Sequence, residues 1–200
     1  MKIRLQILLL IIPIIGSAQS LIKCNDEISF FVNQNDNFYC HIKLNGKVGK
    51  VDEIGNQTVI NFNDYALQTL LLNKQNYISD GEDDIAILTN YIIGETQYFT
   101  SIFKEKLDLM MIPVEISKDK KAVIWYFDIP DKIQKQIQSE DTPAVKQVSI
   151  SITVGNFVYS IGTTLFKGQS FDDLQKLLSD LVMTIEYNNG QIEHDKLCKK

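Results

Sequence analysis

The sequence contains 200 residues, of which 44% are hydrophobic and 22% are charged, and its formal net charge is −5. This length is sufficient for one domain with a sizeable apolar core, and no internal repeat, low-complexity tract or Pro/Gly/Ser linker divides it. The acidic balance disfavours nucleic acid and anionic membrane surfaces as partners.

The first 18 residues follow the three-part pattern of a secretory signal peptide. Lys2 and Arg4 supply a positive start, Leu5 to Ile15 are mainly apolar, and Gly16-Ser17-Ala18 places small residues at the cleavage positions. The apolar run is too short to span a bilayer comfortably. We therefore expect cleavage after Ala18 and export of the protein to the periplasm or beyond the cell.

Cleavage would leave residues 19–200 as a single globular domain, soluble and not inserted in a membrane. Because Lys2 and Arg4 are removed, 18 of the 20 basic residues remain against 25 acidic ones, a net charge of −7. The sequence identifies neither a partner nor the oligomeric state.

Alternation of apolar and polar residues predicts strands in the first third of the mature chain. The pattern is clearest from Phe38 to Leu44, and Asn45-Gly46 is a strong signal for a hairpin turn. Shorter runs predict strands at residues 27–32 and 58–62. A helix capped by Asn63 is predicted next, with the following buried residues: Ala66, Leu67, Leu70 and Leu71.

The acidic stretch Asp80-Gly81-Glu82-Asp83-Asp84 allows two interpretations. Closely spaced oxygen ligands suit calcium, but the central glycine and distant glutamate of the full calcium loop are absent. Acidic residues also favour the N-terminus of a helix, and this interpretation is preferred. Apolar residues at helical spacing then predict a helix from Ile85 to about Lys106.

The middle of the chain predicts a hairpin, with strands at residues 109–117 and 122–129 joined by a charged turn. Pro113 places the first of these strands at the edge of a sheet or at a bulge, since proline cannot donate to the ladder. The polar residues from Asp131 to Pro143 predict a short helix and a loop.

The last part of the chain has the clearest pattern. Two strands at residues 148–154 and 157–163 are joined by Gly155-Asn156, and Ser170 is well placed to cap the helix that follows. This helix is predicted to be long and to end before Asn188-Asn189-Gly190. Its apolar stripe consists of Phe171, Leu174, Leu177, Leu178, Leu181, Val182 and Ile185. The fold class predicted from all these elements is α+β, with an antiparallel sheet built from hairpins, helices packed on it, and a long C-terminal amphipathic helix.

Three cysteines are an odd number for an oxidising compartment. Cys24 and Cys198 lie just outside the outermost predicted elements and could join the two ends of the domain by a disulfide. Cys24 with Cys40 is the alternative pairing. Cys40 occupies an inward position of its strand, where a free cysteine behaves as a small apolar residue.

Candidate catalytic and metal-binding residues are few. Cys40 and His41 are neighbours on a strand, so their side chains point to opposite faces and cannot form a nucleophile–base pair. His194 could complete a dyad with Cys40 or join Cys198 as a metal ligand, but two histidines without a CxxC spacing make a weak case for zinc. Trp125 or Tyr126 could face a ligand, although an indole is more often part of the core. We therefore expect no catalytic residue, no metal and no cofactor.

The order strand–strand–helix–helix–hairpin–hairpin–helix resembles the PsbP/DcrB-like α/β/α sandwich group. The resemblance covers residues 25–187 by element order. Its motif support lies in the final helix, where an aromatic and acidic start, Phe171-Asp172-Asp173-Leu174, precedes Leu177-Leu178. The processing site Ser17-Ala18-Gln19 is also similar to that of exported proteins of Bacteroidetes-type bacteria.

The resemblance implies a non-enzymatic accessory or adaptor module that binds another protein. Two other classes remain as alternatives: an exported hydrolase that uses dispersed acidic or hydroxyl residues, and a periplasmic immunity or inhibitor protein whose acidic surface meets a basic toxin. A hydrolase would show a pocket with perturbed carboxylates. A binding module would show an exposed apolar patch or an open sheet edge.

Overall fold

A computed structural model describes residues 18–54, 57–78, 83–117, 120–137 and 142–199. The predicted signal peptide, apart from Ala18, lies outside these residues, as does most of the acidic stretch at 80–84. In the described part, no helix combines the length and the apolar character needed to cross a bilayer.

The described residues form eleven strands in two antiparallel sheets. The strands are β1 Ala18–Lys23, β2 Ile28–Gln34, β3 Phe38–Asn45, β4 Val48–Ile54, β5 Gln57–Phe62, β6 Tyr65–Asn73, β7 Met110–Ser117, β8 Lys120–Asp128, β9 Ala144–Val154, β10 Phe157–Phe166 and β11 Glu186–Asn189. The small sheet has the order β1-β2-β3-β11, and the large sheet has the order β4-β5-β6-β10-β9-β8-β7.

Four α-helices accompany the sheets in this part of the chain: α1 Asp84–Phe103, α2 Asp131–Ile137, α3 Phe171–Met183 and α4 His194–Leu197. Helix α1 packs on one face of the large sheet. Helix α3 and the small sheet cover the opposite face. The central strands of the large sheet are therefore buried on both sides, and each side has its own apolar core.

We call the two cores the α1 core and the inter-sheet core. The α1 core joins α1 to the large sheet through Leu70, Leu88, Tyr91, Ile92, Phe99, Val123, Trp125, Phe127 and Val158, among others. The inter-sheet core includes Phe31, Cys40, Ile42, Ile60, Leu67, Ile150, Ile152, Ile161, Leu174, Leu178 and Val182. A polar contact also crosses the inter-sheet core, where the Asn33 amide of β2 donates to the Tyr159 hydroxyl of β10 at 3.3 Å.

The predicted class, antiparallel hairpins with helices packed on them, is confirmed, but the strands divide between two sheets. Pro113 lies on β7, the outermost strand of the large sheet, as the prediction required. Ser170 caps α3 by accepting a hydrogen bond from the Asp173 N–H at 3.2 Å. Asp83 caps α1 in the same way through the Ala86 N–H at 2.9 Å, so an acidic residue does open this helix.

The predicted long C-terminal helix is wrong in its length, because α3 ends at Met183 after 13 residues. Thr184 ends it by donating its hydroxyl to the Leu181 carbonyl at 2.7 Å and accepting a hydrogen bond from the Lys43 N–H at 2.9 Å. The chain then pairs with β3 as β11. Gly190, with φ of +91°, follows that strand rather than the helix.

The predicted helix after Asn63 is also wrong, because residues 65–73 form strand β6. Asn63 has φ of +51° and lies in the turn between β5 and β6. Leu67 and Leu71 face the inter-sheet core, whereas Leu70 faces the α1 core. A strand buried on both faces has apolar residues at nearly every position, and such a short run cannot be distinguished from a helix by periodicity.

Candidate functional site

The two aromatic residues proposed to face a ligand lie on opposite faces of strand β8. Trp125 is 2% exposed in the α1 core, where its indole N–H donates to the Ser151 hydroxyl at 2.9 Å. Tyr126 is half-buried on the other face, with its ring 4.7 Å from that of Phe171. Successive side chains of a strand alternate between faces, so the two residues cannot share a site. Trp125 adjoins an internal cavity.

This cavity lies between α1 and a polar row on the large sheet. Gln68 of β6 lies opposite Gly162 of β10, and Gly162 lies opposite Ser149 of β9. A Cβ atom at Gly162 would come within 2.8 Å of the Ser149 hydroxyl oxygen, so a larger residue would displace its neighbour. Gly162 and Ser149 are small, so they leave a space between the sheet and the helix. Elsewhere in this core, larger apolar side chains fill the corresponding space.

Helix α1 directs Tyr91 and Glu95 into this space, one turn apart on the same face of the helix. Tyr91 is fully buried and Glu95 is 5% exposed. The cavity has a volume of about 20 Å³, and Phe99 and Trp125 supply part of its apolar lining. Buried polar groups in such a core are expected to be hydrogen-bonded.

Three buried polar atoms around the cavity have no hydrogen-bond partner among the described residues. They are Oε2 of Glu95, the hydroxyl of Tyr91 and Nε2 of Gln68. The Ser160 hydroxyl pairs with that of Ser151 at 2.9 Å between the oxygens. It also lies beside the Tyr91 hydroxyl, towards which it can turn, and it thereby lowers the pKa of Tyr91 slightly against the effect of burial. Polar groups from a helix and from the sheet therefore converge on one small space.

Burial raises the pKa of the Glu95 carboxyl from 4.5 to about 7. Burial, and then the Glu95 carboxyl, raise the pKa of Tyr91 well above 10. Burial is also the main reason that the pKa of Tyr77, next to Tyr91, is raised. A carboxyl in a cavity with a pKa near neutrality can exchange a proton at physiological pH, which marks this position as a candidate site.

Glu95 was missed by the sequence analysis, which followed only the apolar residues of the predicted helix. The missed signal is its position. Glu95 falls on the same stripe as Leu88, Ile92 and Phe99, and all four are buried. An acidic residue on the apolar face of a helix is unusual enough to identify a buried carboxyl from sequence alone.

The cysteines form one disulfide and one free thiol. Cys24 and Cys198 are bonded, with their Cα atoms 5.3 Å apart, which is the first of the two pairings that the sequence left open. Cys40 is buried and free, and burial raises its pKa to about 12. A thiol with such a pKa is protonated at neutral pH and is a poor nucleophile.

The two histidines do not complete a site with these cysteines. His41 lies on the opposite face of β3 from Cys40, with its Nε2 atom 3.7 Å from the carboxylate of Glu186. His194 is exposed at the start of α4. Across the described residues, His, Cys, Asp and Glu do not gather in threes as a metal ion would require.

The edge strand β7 carries a second feature of possible function, a run of exposed apolar side chains. Met110 is 52% exposed, Met111 40% and Ile112 38%. Among the described residues, β8 is its only ladder partner, so its outer edge is open. Met110 and Ile112 pair with Tyr126 and Ile124, which places them on the α3 side of the sheet, and Met111 lies on the α1 side.

No protein-family model matches the chain, and no curated protein matches it in sequence. The chain is similar to the solution structure of cyanobacterial PsbP (CyanoP) from Synechocystis sp. PCC 6803. The TM-score is 0.46 at 8% sequence identity, over 86% of this chain and 92% of the other. A similarity of this size concerns the course of the chain alone, and no function follows from it.

Proposed function

We propose that this protein is an exported, non-enzymatic accessory module that binds an extended segment of a partner protein along strand β7. The observation that carries the proposal is the run of three exposed apolar residues, Met110 to Ile112, on an open sheet edge. An edge strand presents unpaired main-chain groups, which a second strand can pair with directly.

The side chains of β7 suit such a partner on both faces of the sheet. Met110 and Ile112 are continuous with the half-buried Val114 on the α3 side, and Met111 is exposed on the α1 side. A partner strand with apolar residues at alternate positions would therefore cover apolar surface on each face. Methionine is flexible and polarisable, so it adapts to the shape of a ligand at little cost.

The same strand disfavours pairing with a second copy of itself. Pro113 removes a main-chain donor at its centre, and Glu115 is exposed farther along. Proline and charged residues are the means by which natural edge strands avoid self-association. A different chain can present a basic residue to the exposed Glu115.

Export is the second part of the proposal. It is supported by the signal-peptide pattern of residues 1–18 and by the Cys24–Cys198 disulfide, since disulfides persist mainly outside the cytosol. Intact-mass measurement of the protein from its own host would test this part. A mass that begins at Gln19 with one disulfide is expected, and a mass that retains Met1 would contradict export by this route.

A photo-crosslinking experiment tests the binding edge. A photoreactive amino acid is placed at Met111, and in a matched control at Ile93, which is 42% exposed on α1. After irradiation in host cells, a cross-linked species of one discrete mass is expected from position 111 alone. Met110→Lys should reduce the yield severalfold, because it places a charge on the surface that the partner covers.

Each other result counts against the proposal. Equal yields from positions 111 and 93 would show nonspecific proximity, and the absence of an adduct would show that the edge has no partner. An adduct with twice the mass of the protein would identify a second copy as the occupant. Amide hydrogen exchange on the captured complex adds a main-chain measure, since strand pairing should protect the β7 amides more than those of α1.

A further inference from the structure

The cavity beneath α1 brings together three hydrogen-bonding groups, two from the helix and one from the large sheet. Glu95 and Tyr91 extend from the helix, and Gln68 extends from β6. All three atoms that lack partners are buried, and together they border the same space of about 20 Å³. Leaving a buried donor or acceptor unpaired costs about 1–3 kcal/mol, so three of them in one place call for a shared partner.

The chemistry of the three groups matches a single water molecule. The Gln68 amide donates, the Glu95 carboxyl oxygen accepts, and the Tyr91 hydroxyl can do either. Water offers two donors and two acceptors, and buried waters typically make about three hydrogen bonds. If the Gln68 amide is turned the other way, it presents an acceptor, which water satisfies equally well.

The volume excludes most other ligands. A cavity needs roughly 10–15 Å³ of accessible space to hold one water molecule, and this one provides about 20 Å³. No basic side chain lines it, so an anion would meet the Glu95 carboxyl without compensation. The rest of the lining is partly apolar, with Leu70, Phe99 and Trp125, and partly polar or small, with Gln147, Ser149, Ser160 and Gly162.

We propose that this cavity is a binding site for one water molecule, which bridges Glu95, Tyr91 and Gln68 and thereby joins α1 to the large sheet. The bridge explains why a carboxyl is held in the middle of an apolar helix face. It gives α1 a directional contact with the sheet, because the water fixes the helix in rotation and along its axis relative to β6.

Water-proton and oxygen-17 relaxation dispersion tests the site, because the method counts long-lived buried waters in solution. The wild-type protein should hold one more such water than the Glu95→Leu/Gln68→Leu double variant, which retains only the Tyr91 hydroxyl. Glu95→Gln is the matched control, since it keeps three polar groups and should keep the count. Melting temperatures show that each variant is folded, and replacing an incompletely paired buried carboxyl by leucine is often neutral or stabilising.

A second measurement serves if the double variant fails to fold. In the wild-type protein, a water-to-amide cross-relaxation signal is expected at the Gly162 N–H, beside the cavity. Absence of that signal, or an unchanged count of waters in a folded double variant, would overturn the proposal. Loss of the water in Glu95→Gln would also contradict it, because that variant keeps the hydrogen-bonding capacity.

Discussion

Glu95 stabilises the folded protein when its carboxyl is neutral and destabilises it when the carboxyl is ionised. Its methylene groups pack within the α1 core, yet the carboxylate form must be held among neutral groups with almost no exposure to solvent. The titratable groups that face it are Tyr91 and Tyr77, and both stay neutral well above pH 7 because their pKa values are raised. Ionisation of Glu95 is therefore uncompensated by any nearby cation in the lining.

The first prediction concerns the pH dependence of stability. Glu95 in the folded protein has a raised pKa, so between pH 4.5 and about 7 the folded state binds more protons than the unfolded state. Its favourable contribution is complete below pH 4.5 and is lost as the pH rises through about 7. The rise in pKa corresponds to about 3 kcal/mol of unfolding free energy.

Urea unfolding at pH 5 and pH 8 measures this effect, with Glu95→Gln as the reference. The wild-type protein should lose about 2.5 kcal/mol more than the variant between the two pH values, because a small part of the effect is already lost at pH 5. The comparison cancels the other titrating groups, which both proteins share. An identical pH dependence in the two proteins would show that Glu95 titrates normally, in contact with solvent.

At the scale of single elements, α3 is held by packing rather than by its own helical tendency. Leu174, Leu178 and Val182 are fully buried against the two sheets. A helix of 13 residues is only marginally stable by itself in water. Its N-terminal cap at Ser170 and its end at Thr184 determine where it starts and stops, and the buried stripe determines whether it forms.

The second prediction follows from this dependence. Leu178→Asp should unfold the domain, because it removes apolar packing and buries an unpaired charge, with a cost on the order of 5 kcal/mol or more. That is comparable to the whole stability of an ordinary domain. Met183→Asp is the control on the same helix, since Met183 is 55% exposed. Circular dichroism should show a folded control, and a cooperative melt of Leu178→Asp near the wild-type temperature would contradict the prediction.

The sequence predicts correctly the strands that have one apolar and one polar face. It fails for elements whose structure is determined by contacts with distant parts of the chain. Strands β3, β9 and β10 were found because apolar residues alternate along them, and their turns carry Asn-Gly or Gly-Asn. Strand β6 was assigned as a helix because both of its faces are buried. The end of α3 was missed because the contact between Thr184 and Lys43 joins positions 141 residues apart, which no local pattern records.

The candidate site was harder to predict than the fold. The pairing of Cys24 with Cys198 stood among the alternatives, since both lie at the limits of the domain. The cavity beneath α1 depends on the register that brings Gln68, Gly162 and Ser149 into one row, and register is a property of the assembled sheet. The exposure of Met110 to Ile112 also depends on the order of the strands in the sheet, which the sequence does not show. Pro113 indicated only that β7 lies at an edge or a bulge.

For the molecule as a whole, the disulfide is the main covalent constraint. It closes a loop over a sequence separation of 174 residues and joins the end of β1 to the residue after α4. Beside it, Leu197 of α4 packs on Phe30 and Val32, on the face of the small sheet that points away from the inter-sheet core. The disulfide thus holds a third, minor cluster in place.

The third prediction is the effect of removing this constraint. In the chain-entropy model a loop of this length gives roughly 5 kcal/mol, and measured values are typically 2–4 kcal/mol. Cys24→Ser/Cys198→Ser should therefore lose about 2–5 kcal/mol in urea unfolding. Cys40→Ala keeps the disulfide and should lose less, since it removes one small buried group. Equal stability of the oxidised protein and the double serine variant would show that the bond contributes nothing.

The small sheet can be completed only after nearly the whole chain has been synthesised. Its first three strands are made within residues 18–45, but β11 and Cys198 follow only after the whole large sheet and α3 have been made. Until then β3 has one unpaired edge, and Cys24 is a free thiol whose nearest cysteine along the sequence is Cys40. Correct oxidation must therefore wait for residue 198, because before that residue has been made Cys24 can be joined only to Cys40.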